Sequence, residues 1–390
     1  MARHKTKVFG KLSLCKLRYR LALYFISSFL CSLHGQTAPV TGSDPFVKSG
    51  SFTLQYNGHL QLMDISESDG KLSFLAFDGE SKTILEFNHH GELVNQVDSK
   101  DPKLRLQGKS VASLAIIGNN LRFIKSEISY NLYDSNWRFL KSTPRVNTWK
   151  GPYLRTIERK PLVFDFNGHH ILIEAKAELK PDEVYSHDFF MSSKILYWVD
   201  LSVSKLDSII SFPKQSMYLS ETHFYPRFTP FASINEHKGI LNVLLPLERT
   251  LYRYDYQNKL RPQESFDLNF GLPKSEGLLF EDQRKDFNPA FGMGKEVLNI
   301  LRKGLGINYS FAMGDHIFIE YSTISPGGKK QNRMVVTSQG KLSSNFILPK
   351  SSGRSKTIYL KGGRFVRCAA KDDQHAKNGI TFNLYSIQNF

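Results

Sequence analysis

Cysteine is scarce. Three occur in 390 residues, and two of them, Cys15 and Cys31, lie near the N-terminus. That excludes a disulfide-stapled scaffold and a four-cysteine zinc site. The third, Cys368, reads as a buried small hydrophobe. The pronounced apolar run, residues 21–30, falls well short of the ~20 residues that span a bilayer core. No Pro/Ser-rich linker divides the chain after residue 45, and there is no Gly-x-Ser-x-Gly elbow, no His-Glu-x-x-His helix and no His-x-x-x-His pair. The most readable nucleophile and zinc-hydrolase signatures are therefore missing. Excess positive charge is also less than it looks. The formal net charge is +16, but seven cations and no carboxylate stand in residues 1–20, leaving +9 spread over the rest. Dispersed charge of that size is not a nucleic-acid footprint.

What is present begins with the N-terminus. Arg3, Lys5, Lys7, Lys11, Lys16, Arg18 and Arg20 precede the apolar run, and small or polar residues follow it. This is the order of a secretory signal. The expectation is a signal over residues 1–36, cut near Gly35-Gln36, then a short linker over 37–50 and a single domain over 51–390. Cys31 offers a rival reading as a lipidated lipoprotein cysteine, although Leu30 stands where such a site takes a small residue.

Past residue 50 apolar residues recur with period two, the mark of strands. Residues 72–97 read as three strands joined by turns at Asp78-Gly79 and His89-His90-Gly91. The last hairpin of that meander recurs at 128–139, 196–206, 251–260, 334–342 and 380–389, with turns at Asn136, Ser204, Asn258, Gly340 and Asn389. The spacings suit four-stranded propeller blades of roughly 40–50 residues with insertions. Six copies predict an all-β fold, a six-bladed β-propeller. The sixth copy meets the end of the sequence just after its turn, so its blade needs an outer strand. The spare alternating segment 51–57 is expected to pair with 380–386 and close the ring.

The long gaps between copies locate candidate sites. Residues 212–231 are rich in aromatics and proline, and Tyr218, His223, Tyr225, Arg227 and Phe228 within them form the candidate ligand-binding group. Flat rings offer contact area at low entropic cost, and Arg adds directed hydrogen bonds. In the opposing reading, these rings belong to a long inter-blade connection and plug into the core. A metal alternative rests on Glu174, Asn235, Asp315 and His316, placed near the ends of inner strands, where oxygen donors would suit calcium and a histidine would suit zinc. Otherwise no cofactor is expected. Residues 295–302 carry the best helical pattern, and Gly292-Met-Gly-Lys295 before them reads as a glycine turn, since Pro289 occupies the first-glycine position of a P-loop and Glu296 follows the lysine.

With these patterns in hand, the chain resembles the exported, TolB-like six-bladed propeller proteins of the Bacteroidetes kind. The resemblance rests on the signal segment, on residues 72–97, on Tyr225-Pro-Arg-Phe-Thr-Pro-Phe231, on residues 241–247 and on Leu251-Tyr-Arg-Tyr-Asp255. It implies a periplasmic or outer-membrane-associated protein and supplies no catalytic residues. The expected function is that of an exported binding or scaffolding module for a protein, peptide or glycan of the envelope, without nucleic acid. The alternative is a metal-dependent, lactonase-like hydrolase with a cation in the central channel.

Overall fold

The computed structural model describes residues 45–390 apart from 108, 119, 146–160, 176–185, 226–228, 259, 269–277, 280–286, 289–292, 295–305, 325–329, 339–340, 352–356, 361, 371–378 and 389–390. Six four-stranded antiparallel sheets follow one another along the chain. Blade 1 comprises Leu60–Ser68, Lys71–Asp78, Thr83–Phe87 and Leu93–Asp98. Blade 2 comprises Val111–Ile117, Leu121–Ser126, Ser129–Asp134 and Phe139–Pro144. Blade 3 comprises Leu162–Phe166, His169–Ala175, Lys194–Asp200 and Lys205–Ser211. Blade 4 comprises Phe231–Asn235, Ile240–Leu244, Thr250–Asp255 and Arg261–Asp267. Blade 5 comprises Gly306–Met313, His316–Ile324, Lys330–Ser338 and Lys341–Ile347. The recurring hairpin of the sequence is thus the third and fourth strand of each blade.

Blade 6 contains Ile358–Leu360, Arg364–Cys368 and Ile380–Ile387 from the C-terminal part of the chain, and Phe46–Leu54 as its fourth strand. The expected closure is present and runs further toward the N-terminus than residues 51–57. Pairing extends from Phe46 opposite Ile387 to Leu54 opposite Ile380. It stops at Leu54 because the next residue leaves for blade 1, where the Gln55 amide donates to the Gly91 carbonyl at 2.9 Å. Two glycines admit this closing strand. A Cβ on Gly91 (φ +79°) would lie 2.0 Å from the Thr53 carbonyl oxygen, and one on Gly379 would lie 2.8 Å from that of Leu54.

The burial pattern follows from blade packing. Interior strands such as Thr83–Phe87 and Val111–Ile117 are buried at every position, whereas outer strands such as Arg261–Asp267 are mostly exposed. An interior strand is covered on both faces, so it reads as a near-continuous apolar run. Six apolar clusters occur among the described residues, one at each junction between adjacent blades. Alternate side chains of one strand enter different clusters. Ile171 and Ile173 pack toward blade 4 while Leu172 packs toward blade 2. Likewise Ile317 and Ile319 face blade 4 while Phe318 faces blade 6. Cys368 is buried among apolar residues where blade 6 meets blade 1.

Smaller elements fill the connections. A helix over His187–Ser192, not anticipated from the sequence, is capped by the Ser186 hydroxyl, which accepts from the Phe189 amide at 3.3 Å, and it buries Phe190. Two ribbons pair His223–Phe224 with Leu278–Leu279 and Phe287–Asn288 with Met293–Gly294. The second places Met293 and Gly294 of the expected glycine turn in a short strand; the helix expected over 295–302 lies outside the described residues.

The closing strand is anchored by Phe46, which is buried edge-on against Phe346 of blade 5 and Phe365 of blade 6 at centroid distances of 5.7 and 5.4 Å. Phe46→Ala is expected to lower unfolding stability by about 3 kcal/mol, measured by urea denaturation. Val94→Ala, on the exposed outer strand of blade 1, is expected to leave it within about 0.5 kcal/mol.

Candidate functional site

Because interior strands are apolar on both faces, the polar residues among them stand out, and several meet a partner across a junction. Between blades 2 and 3, Lys125 Nζ lies 2.5 Å from Glu174 Oε1, with Arg145 3.9 Å from the same oxygen, all three side chains buried. Between blades 1 and 2, Arg122 pairs with Glu86, and the Asp64 carboxylate accepts from the Ile116 amide at 2.7 Å. Between blades 5 and 6, the Tyr359 hydroxyl donates to Glu320 at 2.8 Å. Breaking such a buried pair leaves a desolvated charge and costs several kcal/mol.

The junction between blades 4 and 5 differs. Its apolar part, with Leu244, Leu251, Ile307 and Ile319, gives way toward the turns to a cleft of about 420 Å³. A polar row crosses all four strands of blade 4 in register, from Ser233 to Asn242, Arg253 and Glu264. Asn242, Arg253 and Glu264 line the cleft. Asn242 occupies an alternate position of a strand whose neighbours Leu241 and Val243 pack toward blade 3, so its side chain goes to the blade 5 side. It is 2% exposed, and its Oδ1 has no hydrogen-bond partner among the described residues; its amide nitrogen makes one long contact, 3.5 Å, to the Ser233 carbonyl. Arg253 donates from Nη1 to Glu264 at 2.7 Å and lies 4.7 Å over the Phe266 ring, while its buried Nε is likewise without a partner among the described residues.

The far side of the cleft is closed by two turns. Asn235 ends the first strand of blade 4, its Oδ1 capping the short helix Glu236–Lys238 and its Nδ2 donating to the Gly314 carbonyl of blade 5. Lys238 pairs with Asp315 across the same gap. That hydrogen bond and charge hold the Asp315 carboxyl below the usual aspartate range, with His316 and Arg253 adding to the effect. The chemistry on offer is a buried donor and a buried acceptor on directly opposed residues, two ion pairs, and apolar walls from Ile240, Phe266 and Ile317.

Of the metal candidates, Asn235 and Asp315 meet at this cleft, and His316 follows directly in the chain. Glu174 sits at another junction, in the Lys125–Arg145 cluster. Among the described residues no three His, Cys, Asp or Glu side chains converge. Of the aromatic candidates, Tyr218 and Tyr225 are 1% and 9% exposed and belong to the core between blades 3 and 4, packed on Phe212 and each other. His223 lies in the short ribbon beside Thr222, its Nδ1 2.8 Å from the threonine hydroxyl. Arg227 and Phe228 lie outside the described residues. Asn242 and Arg253 were not among the candidates, although the sequence carries a signal for the first: it is the lone polar residue in the run from Ile240 to Leu245.

No protein-family model and no curated protein matches this chain. Solved structures do. A member of the DUF4221 family from Bacteroides vulgatus superposes with a TM-score of 0.57 at 12% identity, covering 88% of this chain and 98% of that one. A protein of Bacteroides fragilis described as a "putative exported protein" gives 0.51 at 14% identity, covering 90% and 98%. At these identities the likeness establishes the propeller fold. A gluconolactonase of Xanthomonas campestris reaches 0.42 at 9% identity over 89% and 97%, too distant to carry a function across.

The aromatic connection between blades 3 and 4 is itself held by one carboxylate. Glu248 accepts from the Met217 amide at 2.7 Å and from the Tyr252 hydroxyl at 2.6 Å, and it also bonds the Ser216 hydroxyl. Burial nevertheless raises its pKa above the ordinary glutamate value of 4.5, the hydrogen bonds offsetting only part of the effect. A carboxyl raised in the folded state contributes stability that is complete below 4.5 and is lost as pH rises through the higher folded value. Glu248→Gln keeps an acceptor for Ser216 and Met217 and removes the buried charge. Thermal melts of the two proteins are expected to converge at pH 4 and to separate by pH 8, with the variant melting higher.

Proposed function

We propose that this chain is an exported, TolB-like propeller that acts by binding a peptide, a glycan or a segment of an envelope protein, and that the cleft between blades 4 and 5 is its ligand seat. Export is supported by the basic stretch, the apolar run and the small residues of the first 36 positions, and by the description of the Bacteroides fragilis neighbour. The observation that carries the binding assignment is Asn242. A buried polar atom without a partner costs roughly 1–3 kcal/mol; Asn383 Oδ1 and Trp137 Nε1 are others in this fold, and among the described residues Asn242 and Arg253 are those that also line the cleft. Costs of that kind collect where a protein needs a group for a ligand. The cleft volume, about 420 Å³, falls within the roughly 300–1,000 Å³ of small-molecule sites. The two aromatic residues buried at the junction of blades 3 and 4, Tyr218 and Tyr225, act in this reading as the packing that holds blade 4 in place.

Asn242→Leu tests the assignment without knowledge of the ligand. If the amide is held for binding, the near-isosteric apolar residue raises the stability of the ligand-free protein by about 1 kcal/mol, read by urea denaturation. A loss of stability would make Asn242 a structural group and remove the support for the seat.

A further inference from the structure

Resting on that seat, we infer that the cleft takes a neutral sugar ring, free or as one unit of a glycan chain. The ionic groups that line it are already matched to each other: Lys238 with Asp315, and Arg253 with Glu264. Two cations and two anions leave no net charge, and a charged ligand would have to break one pair to gain another. What the pairs leave over is neutral hydrogen-bonding capacity at the blade 4 side. Asn242 Oδ1 accepts, Arg253 Nε donates, and neither has a partner among the described residues. The two residues are directly opposed on neighbouring strands, so their Cα atoms stand about 4.5–5.5 Å apart. A pair of adjacent hydroxyls meets both needs at once, since each hydroxyl can donate and accept.

The walls match the rest of such a ligand. Ile240 and Phe266 of blade 4 and Ile317 of blade 5 are apolar, while the Asn235 and Lys238 turn lies at one end and the Asn242–Arg253 row beside it. A pyranose has this distribution, with hydroxyls around its edge and C–H groups on its two faces. Phe266, one face of whose ring is covered by Arg253, adds apolar surface for those C–H groups.

Isothermal titration of the purified full-length protein tests this with glucose, galactose, mannose, N-acetylglucosamine, maltose, lactose, chitobiose and maltohexaose as probes, and with glucuronate and glycylglycine as competitors of other chemistry. Saturable binding of at least one neutral sugar is expected, weakened by about tenfold or more in Asn242→Leu and in Ala312→Leu, the latter extending a half-buried residue of blade 5 into the cleft. Tighter binding of the hexasaccharide than of its monosaccharide identifies a glycan chain as the source; equal binding identifies the free sugar. Sugar binding unchanged in both variants would overturn the cleft as its location. Binding of glycylglycine or glucuronate with every neutral sugar silent would overturn the sugar class and leave the binding seat standing. Silence from all probes would overturn the sugar assignment, and the stability of Asn242→Leu would then decide on the seat separately.

Discussion

Every interior strand of this molecule has to satisfy two different neighbours, one through its odd residues and one through its even residues. Leu172 and Ile173 are adjacent in sequence yet enter different apolar clusters, one shared with blade 2 and one with blade 4. Among the described residues no blade owns a core. Each cluster is assembled from two blades, so stability is a chain of nearest-neighbour terms, and the chain becomes a circle only where Phe46–Leu54 completes blade 6. A slip of one residue in any interior strand would exchange the two faces and spoil both junctions together.

Polar residues inside such a scheme have to be placed at matching heights on facing blades. Lys125 and Glu174, Arg122 and Glu86, and Tyr359 and Glu320 are all examples. Pairs of this kind add little net stability over apolar residues of the same shape, but they penalise misalignment strongly. Blades 4 and 5 depart from the scheme. They are bridged by Asn235 to Gly314 and Lys238 to Asp315 at the turns, and the row beneath is left facing a cleft. The same junction that could have been filled with apolar side chains is kept apart by two turns and furnished with groups that face inward.

Much of the architecture was legible because the third and fourth strands of each blade share a hairpin grammar that survives large insertions. The missing outer strand of the last blade and the spare strand at the other end predicted each other. The helix at His187–Ser192 was not legible: six residues are too few to display a 3.6-residue period. Nor was the fate of the aromatic connection, since composition reports ring content and says nothing of the direction in which Tyr218 and Tyr225 point. Asn242 was visible as a polar break in an apolar strand, yet its meaning depends on what the opposing blade offers at that height, and opposition between blades is a property of the closed ring. Arg253 sits in a strand that alternates as the fold requires, so nothing local set it apart.

The closing strand has a consequence for how the protein is made. Thr53 of the closing strand and its partner Thr381 stand 328 residues apart in the chain. At about 5–20 residues per second, the first strand waits roughly 15–65 s before it can pair. Throughout that interval blade 1 presents the apolar flank that blade 6 will later cover, with Phe74, Leu85 and Phe87 unshielded. A chain that stops before Ile380 lacks the partner altogether and stays open on both flanks. Hiding the adhesive surfaces therefore requires both strands of this pair, and a chain that lacks either one offers chaperones and proteases the very faces it fails to bury.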